Sequence, residues 1–99
     1  MPDLVSVIIP CRNDPRLIRA VQSVAKQTYA PVEVVIVDDA SDPPIPPGWV
    51  TRVRFDQQVG PATARNAGVK AATGEWVAFL DADDWWLPSK FARQMARLQ

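Results

Sequence analysis

Val32 to Asp39 reads VEVVIVDD. The apolar, β-branched run from Val32 to Val37 is nearly continuous and stops abruptly at Asp38 and Asp39, as in a central parallel strand covered on both faces. An antiparallel strand with one wet face would alternate instead. Upstream, LVSVIIP gives a second such run, Val5 to Ile9, ended by Pro10. The loop PCRND separates it from a helix with Asp14 as N-cap and Pro15 as first helical residue. In that helix Leu17, Ile18, Val21, Val24 and Ala25 recur on one side. A helix between two buried runs predicts parallel neighbouring strands.

Downstream, ASDPPIPPGW places Pro43, Pro44, Pro46 and Pro47 within five positions, which forbids a regular helix and favours extended backbone. The stretch is expected to tether two strands, with an SH3-type ligand as the weaker reading. A strand is expected from Val50 to Phe55, nearer an edge. Gly60 and Pro61 open a second helix, where Ala64, Ala67, Gly68 and Ala71 form a small-residue side that lies close on a sheet. Gly74 stands where a C-cap belongs. Glu75 to Leu80 reads as a fourth strand, and a last helix is expected from Pro88, begun by Trp85 and Trp86, with Phe91, Met95 and Leu98 inward. Trp86 could also close over the strand ends. The order predicts an α/β fold: a Rossmann-like, mainly parallel sheet of about four strands flanked by three helices.

Composition narrows the chemistry. In 99 residues, 47% of them hydrophobic, there is material for one modest core, so residues 1–99 read as one domain or a piece of one. Eleven cations against eleven carboxylates give no net field toward nucleic acid or an anionic membrane. One cysteine, Cys11, makes no intramolecular disulfide and reads as filler after the first strand. With no histidine, a metal would have to be held by oxygen. The start lacks a signal-peptide pattern and no apolar run reaches the ~18 residues of a membrane span. The expectation is a cytoplasmic segment, with attachment to the inner face of the membrane left open for a longer protein. FARQMARLQ runs in helix formers up to Gln99 without a cap, as expected for the front part of something longer.

In open α/β sheets ligands sit beyond the carboxyl ends of the strands. That rule collects Pro10 to Asn13, Asp38 with Asp39, and Asp81 to Asp84 on one rim. In FLDADDWW, Phe79 to Trp86, an Asp-x-Asp pair at a strand end suits Mg²⁺ or Mn²⁺, which take one or two carboxylates plus substrate phosphates. The same aspartates would also suit a solvated turn before a helix. Asp38 and Asp39 suit a ribose hydroxyl or base N–H, or the start of the proline turn. Arg65, one turn into the second helix, would meet an anion there or stay solvated.

Taken together, VSVIIPCRN, SVAKQTYAPVEVVIVDDAS and VGPATARNAGVKAATGEWVAFLDADDWWLPSKFARQ resemble the nucleotide-binding half of a family 2 glycosyltransferase with the GT-A fold. The resemblance implies sugar transfer from a nucleotide-diphosphate sugar, a UDP-sugar first among them, to a saccharide or lipid-linked acceptor, with Mn²⁺ or Mg²⁺ as cofactor. It implies Pro10, Arg12 and Asn13 under the base, and Asp39 on the base or ribose with Asp38 supporting it. Arg65 would lie near the phosphates, Asp81 near the ribose or a metal-bound water, and Asp83 on the metal itself. Asp84 is expected to support the turn. Three departures stand out. Arg12 replaces a frequent aromatic residue, prolines replace the crossover helix between Asp39 and Trp49, and no residue matches the general base, expected beyond Gln99. Nucleic acid is not an expected partner, and a free sheet edge makes self-association plausible. The competing readings are a Mg²⁺-dependent phosphoaspartyl enzyme, a dinucleotide-binding module lacking its glycine-rich turn, and a non-catalytic interaction module.

Overall fold

The computed structural model describes residues 2–46, 48 and 50–98. The elements run β1 (Val5–Cys11), α1 (Leu17–Ala25), β2 (Val32–Asp39), β3 (Thr51–Phe55), α2 (Pro61–Ala71), β4 (Trp76–Phe79) and α3 (Lys90–Leu98). All pairings are parallel, in the order β3-β2-β1-β4. The expected α/β fold is the one found, with the Val32–Val37 run in the middle of the sheet and β3 at an edge.

Strand parity divides the core. Val5, Val7, Ile9 and Ile36 face α1 and α3 and pack with Val21, Val24, Phe91 and Met95. Ile8, Val35 and Val37 face α2 and pack with Ala64. Gly68 lets α2 lie close, because a Cβ there would stand 2.3 Å from Ile8 Cγ2 and 3.1 Å from Val37 Cγ2.

Several local expectations are corrected. β1 runs through Pro10 to Cys11. Val5 donates to Pro31 on the β2 side and Ile8 accepts from Leu80 on the β4 side. Pro10 shares the parity of Ile8, so its missing N–H faces β4 beyond the last pair, Ile8 with Phe79. Ile18 and Ala25 point to solvent, and the buried side of α1 is Ala20, Val21, Ser23 and Val24. Asp14 does not cap α1. Its carboxylate holds the Arg16 backbone N–H and guanidinium, each at 3.0 Å, in the turn before it.

Gly74 is no C-cap either, since α2 ends on extended Ala72. Its role is close approach: a Cβ would stand 2.8 Å from the Leu4 carbonyl oxygen and 2.9 Å from the Ser6 nitrogen. β4 spans only Trp76 to Phe79, and α3 begins at Lys90, so both tryptophans precede the helix. Trp86 stacks edge-on against Phe91 at 4.9 Å. The Leu98 side chain, Pro47 and Trp49 lie outside the described residues.

No helix joins β2 to β3 among the described residues, as expected from the prolines. Hydrogen bonds secure the link instead. Asp38 accepts from the N–H groups of Ser41 (2.9 Å) and Ile45 (2.8 Å), and Arg52 Nη1 donates to the Ile45 carbonyl at 2.6 Å.

Candidate nucleotide and metal site

The carboxyl ends of β1, β2 and β4 and the amino end of α2 meet at one rim. Asp38, at the end of β2, has no exposed surface, and its Oδ2 also accepts from Arg54 Nη1 at 2.7 Å. Burial pushes its pKa up, but the N–H groups of Ile45 and Ser41, the Ser41 side chain and Arg54 outweigh this and hold it below the usual carboxylate range. Its charge is spent inside the loop.

Asp39, also buried, turns toward α2. Its two oxygens accept from the N–H groups of Val59 (2.8 Å) and Gly60 (3.0 Å), fixing the entry to the helix. Gly60 has φ 88° and ψ 165°, a region open essentially to glycine alone. Each carboxylate oxygen keeps a lone pair for a further donor.

Asn13 adopts a left-handed φ of 53° and ties two loops together. Its N–H donates to Ser41 Oγ at 3.0 Å, and its Oδ1 accepts from the Asp42 N–H at 2.7 Å. Pro10 is half-buried, and Arg12 is exposed and unpaired among the described residues. Cys11 Sγ lies 3.8 Å from the Asp14 carbonyl, and burial raises the thiol pKa. It belongs to the wall of the core, in keeping with a filler.

Arg65 reaches across to the segment after β4, with Nη2 3.5 Å from Asp81 Oδ1. The two side chains are 39% and 66% exposed, so the pair is worth at most about 1 kcal/mol and yields easily to a ligand. Asp84 shapes the turn: its N–H donates to the Asp81 carbonyl at 3.0 Å, and its Oδ1 accepts from the Trp85 N–H at 2.8 Å. Asp83 differs from its neighbours. Its carbonyl accepts from Arg19 Nη2 at 3.2 Å, while its exposed carboxylate has no hydrogen bond or ion pair among the described residues.

The donor set fits a hard divalent ion held jointly with a ligand. No group of three His, Cys, Asp or Glu is placed to hold a metal by itself among the described residues. Asp83 has a free carboxylate and Asp81 a weakly held one, so phosphate oxygens and water would complete the coordination.

The family model for glycosyl transferase family 2 matches residues 6–99. The chain belongs to that family. The succinoglycan biosynthesis protein ExoO of Rhizobium meliloti (strain 1021) is 36% identical over 104 residues, covering 98% of this chain and 30% of that protein. The Escherichia coli enzyme WfaP, named UDP-Glc:alpha-D-GlcNAc-diphosphoundecaprenol beta-1,3-glucosyltransferase, is 36% identical over 101 residues, covering 94% of this chain and 40% of that protein.

Among solved structures, S. aureus TarS 1–349 in complex with UDP-GlcNAc superposes with a TM-score of 0.80 at 27% identity, over 93% of this chain and 30% of that one. The mannosyltransferase PcManGT from Pyrobaculum calidifontis, in complex with GDP-Man and Mn²⁺, gives 0.78 at 29% identity, over 98% and 32%. This family 2 chain thus spans 30 to 40% of the length of these two relatives.

Sequence reasoning placed the rim carboxylates but missed three residues that hold the surrounding loops. Arg54 neutralises Asp38, Ser41 joins two loops, and Gln27 organises the approach to α3. Gln27 Nε2 donates to the Leu87 carbonyl at 2.7 Å, and its Oε1 accepts from the Phe91 N–H at 3.1 Å. The alternation of Arg52 and Arg54 along β3 was the one visible signal.

Proposed function

We propose that this chain is the donor-binding portion of a metal-dependent glycosyltransferase that moves a sugar from a nucleotide-diphosphate sugar to an acceptor. The observation that carries this reading is the convergence, in a family 2 fold, of Asp39, the Arg65–Asp81 pair and the unpaired Asp83 carboxylate on one rim. Asp39 uses its remaining lone pairs on the base or ribose, while Asp38 and Arg54 hold the loop beneath it. Pro10, Arg12 and Asn13 floor the base site. Arg65 leaves Asp81 to meet a phosphate, and Asp81 turns to the ribose or a metal-bound water.

Asp83 and Asp81 are the residues that would hold Mn²⁺ or Mg²⁺. A divalent ion bound there supplies charge compensation for the diphosphate leaving group. UDP is the first donor nucleotide to try, because WfaP is named for UDP-Glc and TarS holds UDP-GlcNAc; the GDP-Man complex of PcManGT makes GDP the second. The acceptor is a saccharide or a lipid-linked saccharide, the latter in line with the name of WfaP; the proposed site of action is the cytoplasm. The general base that deprotonates the acceptor has no counterpart among the rim residues. The phosphoaspartyl alternative needs a carboxylate at the end of β1, where Pro10, Cys11, Arg12 and Asn13 stand.

Calorimetric titration of the chain with UDP, GDP and dTDP, with and without Mn²⁺, tests the reading. Binding strengthened by Mn²⁺ and reduced to the metal-free level by Asp83→Ala is expected. A folded chain giving no heat with any of the three, with or without metal, would overturn it.

A further inference from the structure

The chain's eleven cations and eleven carboxylates cancel, yet the fold segregates them. α1 and α3 bury their apolar sides on the same face of the sheet, leaving their outer sides flanking the segment Trp85 to Pro88. A groove of about 410 Å³ runs between α1 and the tryptophans, and one of about 760 Å³ between the tryptophans and α3. Their walls carry five cations, Arg19, Lys26, Lys90, Arg93 and Arg97, and no carboxylate. Six cations are left against all eleven carboxylates for the rest of the molecule.

Large apolar side chains interleave with these cations. Trp85 is 49% exposed and Leu87 60%, and Ile18, beside Arg19 on α1, is 67% exposed. The Arg19 guanidinium lies 6.0 Å from the Trp85 ring centroid and Lys90 Nζ 4.9 Å from that of Trp86.

Two properties identify the occupant. A packed apolar protein surface would strip water from five cations and give nothing back. A soluble anion would pair with the cations but make no use of Trp85 and Leu87. An anionic bilayer surface satisfies both, with headgroup phosphates for Lys and Arg and the acyl boundary for Trp and Leu. No described helix is long and apolar enough to cross a membrane, so contact through this face would be peripheral.

We propose that the outer sides of α1 and α3, with Trp85 to Leu87 between them, dock on an anionic lipid bilayer. Zero net charge gives the molecule as a whole no such attraction; the segregated face does. Arg19, bonded to the Asp83 carbonyl at 3.2 Å, marks the border with the rim, so docking holds the rim at the lipid surface. The docking does not depend on the transferase reading.

Vesicle flotation of the chain tests it, comparing pure phosphatidylcholine with about 30% phosphatidylglycerol at about 0.05 M and about 0.5 M salt. The expected result is flotation with the anionic vesicles alone, lost at high salt. Arg93→Gln with Arg97→Gln, both exposed, should weaken it about 25-fold, at roughly fivefold per charge. Lys26→Gln repeats the test at the end of α1, and Leu87→Ser, whose backbone bond to Gln27 remains, should weaken it a few-fold. The UDP titration should be unchanged in all of these variants, which separates the two proposals. Four results would each overturn this one: no flotation of the folded chain, equal flotation with neutral vesicles, charge variants that float like the parent, or competition by soluble polyglutamate as strong as by anionic vesicles.

Discussion

At Asp38 a carboxylate with no exposed surface accepts two backbone N–H groups and the Arg54 guanidinium, whereas at Asp83 the same group stands in solvent unpaired. Removing the first leaves the Ser41 and Ile45 amides without their acceptor and Arg54 with only the Ser41 carbonyl and the exposed Asp56, so Asp38→Ala should cost about 2–3 kcal/mol in urea unfolding, and Asp83→Ala less than about 0.5 kcal/mol. The pH dependence follows from the same contacts. The folded carboxyl of Asp38 titrates below its unfolded value, as does Glu33, which accepts from Ser6 and Thr73 against the opposing effect of burial. Such groups contribute their full stability above the unfolded carboxyl pKa, about 4, and lose it as pH falls through the folded value. The urea midpoint should therefore drop steeply below about pH 4, and less steeply in Asp38→Asn, which has no charge to lose. Arg65→Gln removes only an exposed pair, so stability should shift by less than about 1 kcal/mol. If Arg65 meets a phosphate, calorimetry should show UDP–Mn²⁺ affinity falling about tenfold or more, the equivalent of one charge-assisted bond.

Among the elements, β2 and α2 were the most legible and the approach to α3 the least. An uninterrupted apolar run has one stable place in an α/β sheet, and VEVVIVDD occupies it. The spacing of Ala64 and Gly68 likewise announced a helix lying close on β1 and β2. Gly68→Ala gains about 1 kcal/mol in helix propensity but drives a methyl group into Ile8 Cγ2, at a cost of about 1–3 kcal/mol. The net expectation is a lower thermal midpoint, measurable by circular dichroism; an unchanged or higher midpoint would mean that α2 can lift off the sheet freely. The start of α3 was unreadable for a physical reason. Its first turn donates the Phe91 N–H to Gln27 Oε1, sixty-four residues away, and no local pattern encodes a cap supplied from the turn after α1. The rim was legible as a set of carboxylates. Their division of labour was not, because whether an aspartate serves a loop or faces solvent depends on partners such as Arg54 that only the folded sheet brings near.

At the scale of the whole molecule the Cα radius of gyration is 13.1 Å, close to the ~13 Å of a compact domain of 100 residues. The layers leave a groove of about 440 Å³ between α1 and the β2–β3 edge, and they leave β4 open on the α2 side. Val77 and Phe79, on the α2 side of the sheet, remain 40% and 48% exposed because α2 covers β1 and β2. Trp76 and Leu80 donate their N–H groups to Leu4, just before β1, and to Ile8 of β1, so Val77 and Phe79 turn their backbone groups outward along the open edge. A second copy related by a two-fold axis can bring Val77 opposite Phe79, pairing those groups and covering the side chains at once. Light scattering at rising concentration should therefore detect a dimer of this 99-residue chain. Val77→Lys places a charge on that edge and should return the chain to a monomer, whereas Lys26→Gln, in the groove beside α1 and not at β4, should leave the dimer intact. A chain that stays monomeric at every concentration, or a dimer indifferent to Val77→Lys, would remove the β4 edge as the contact.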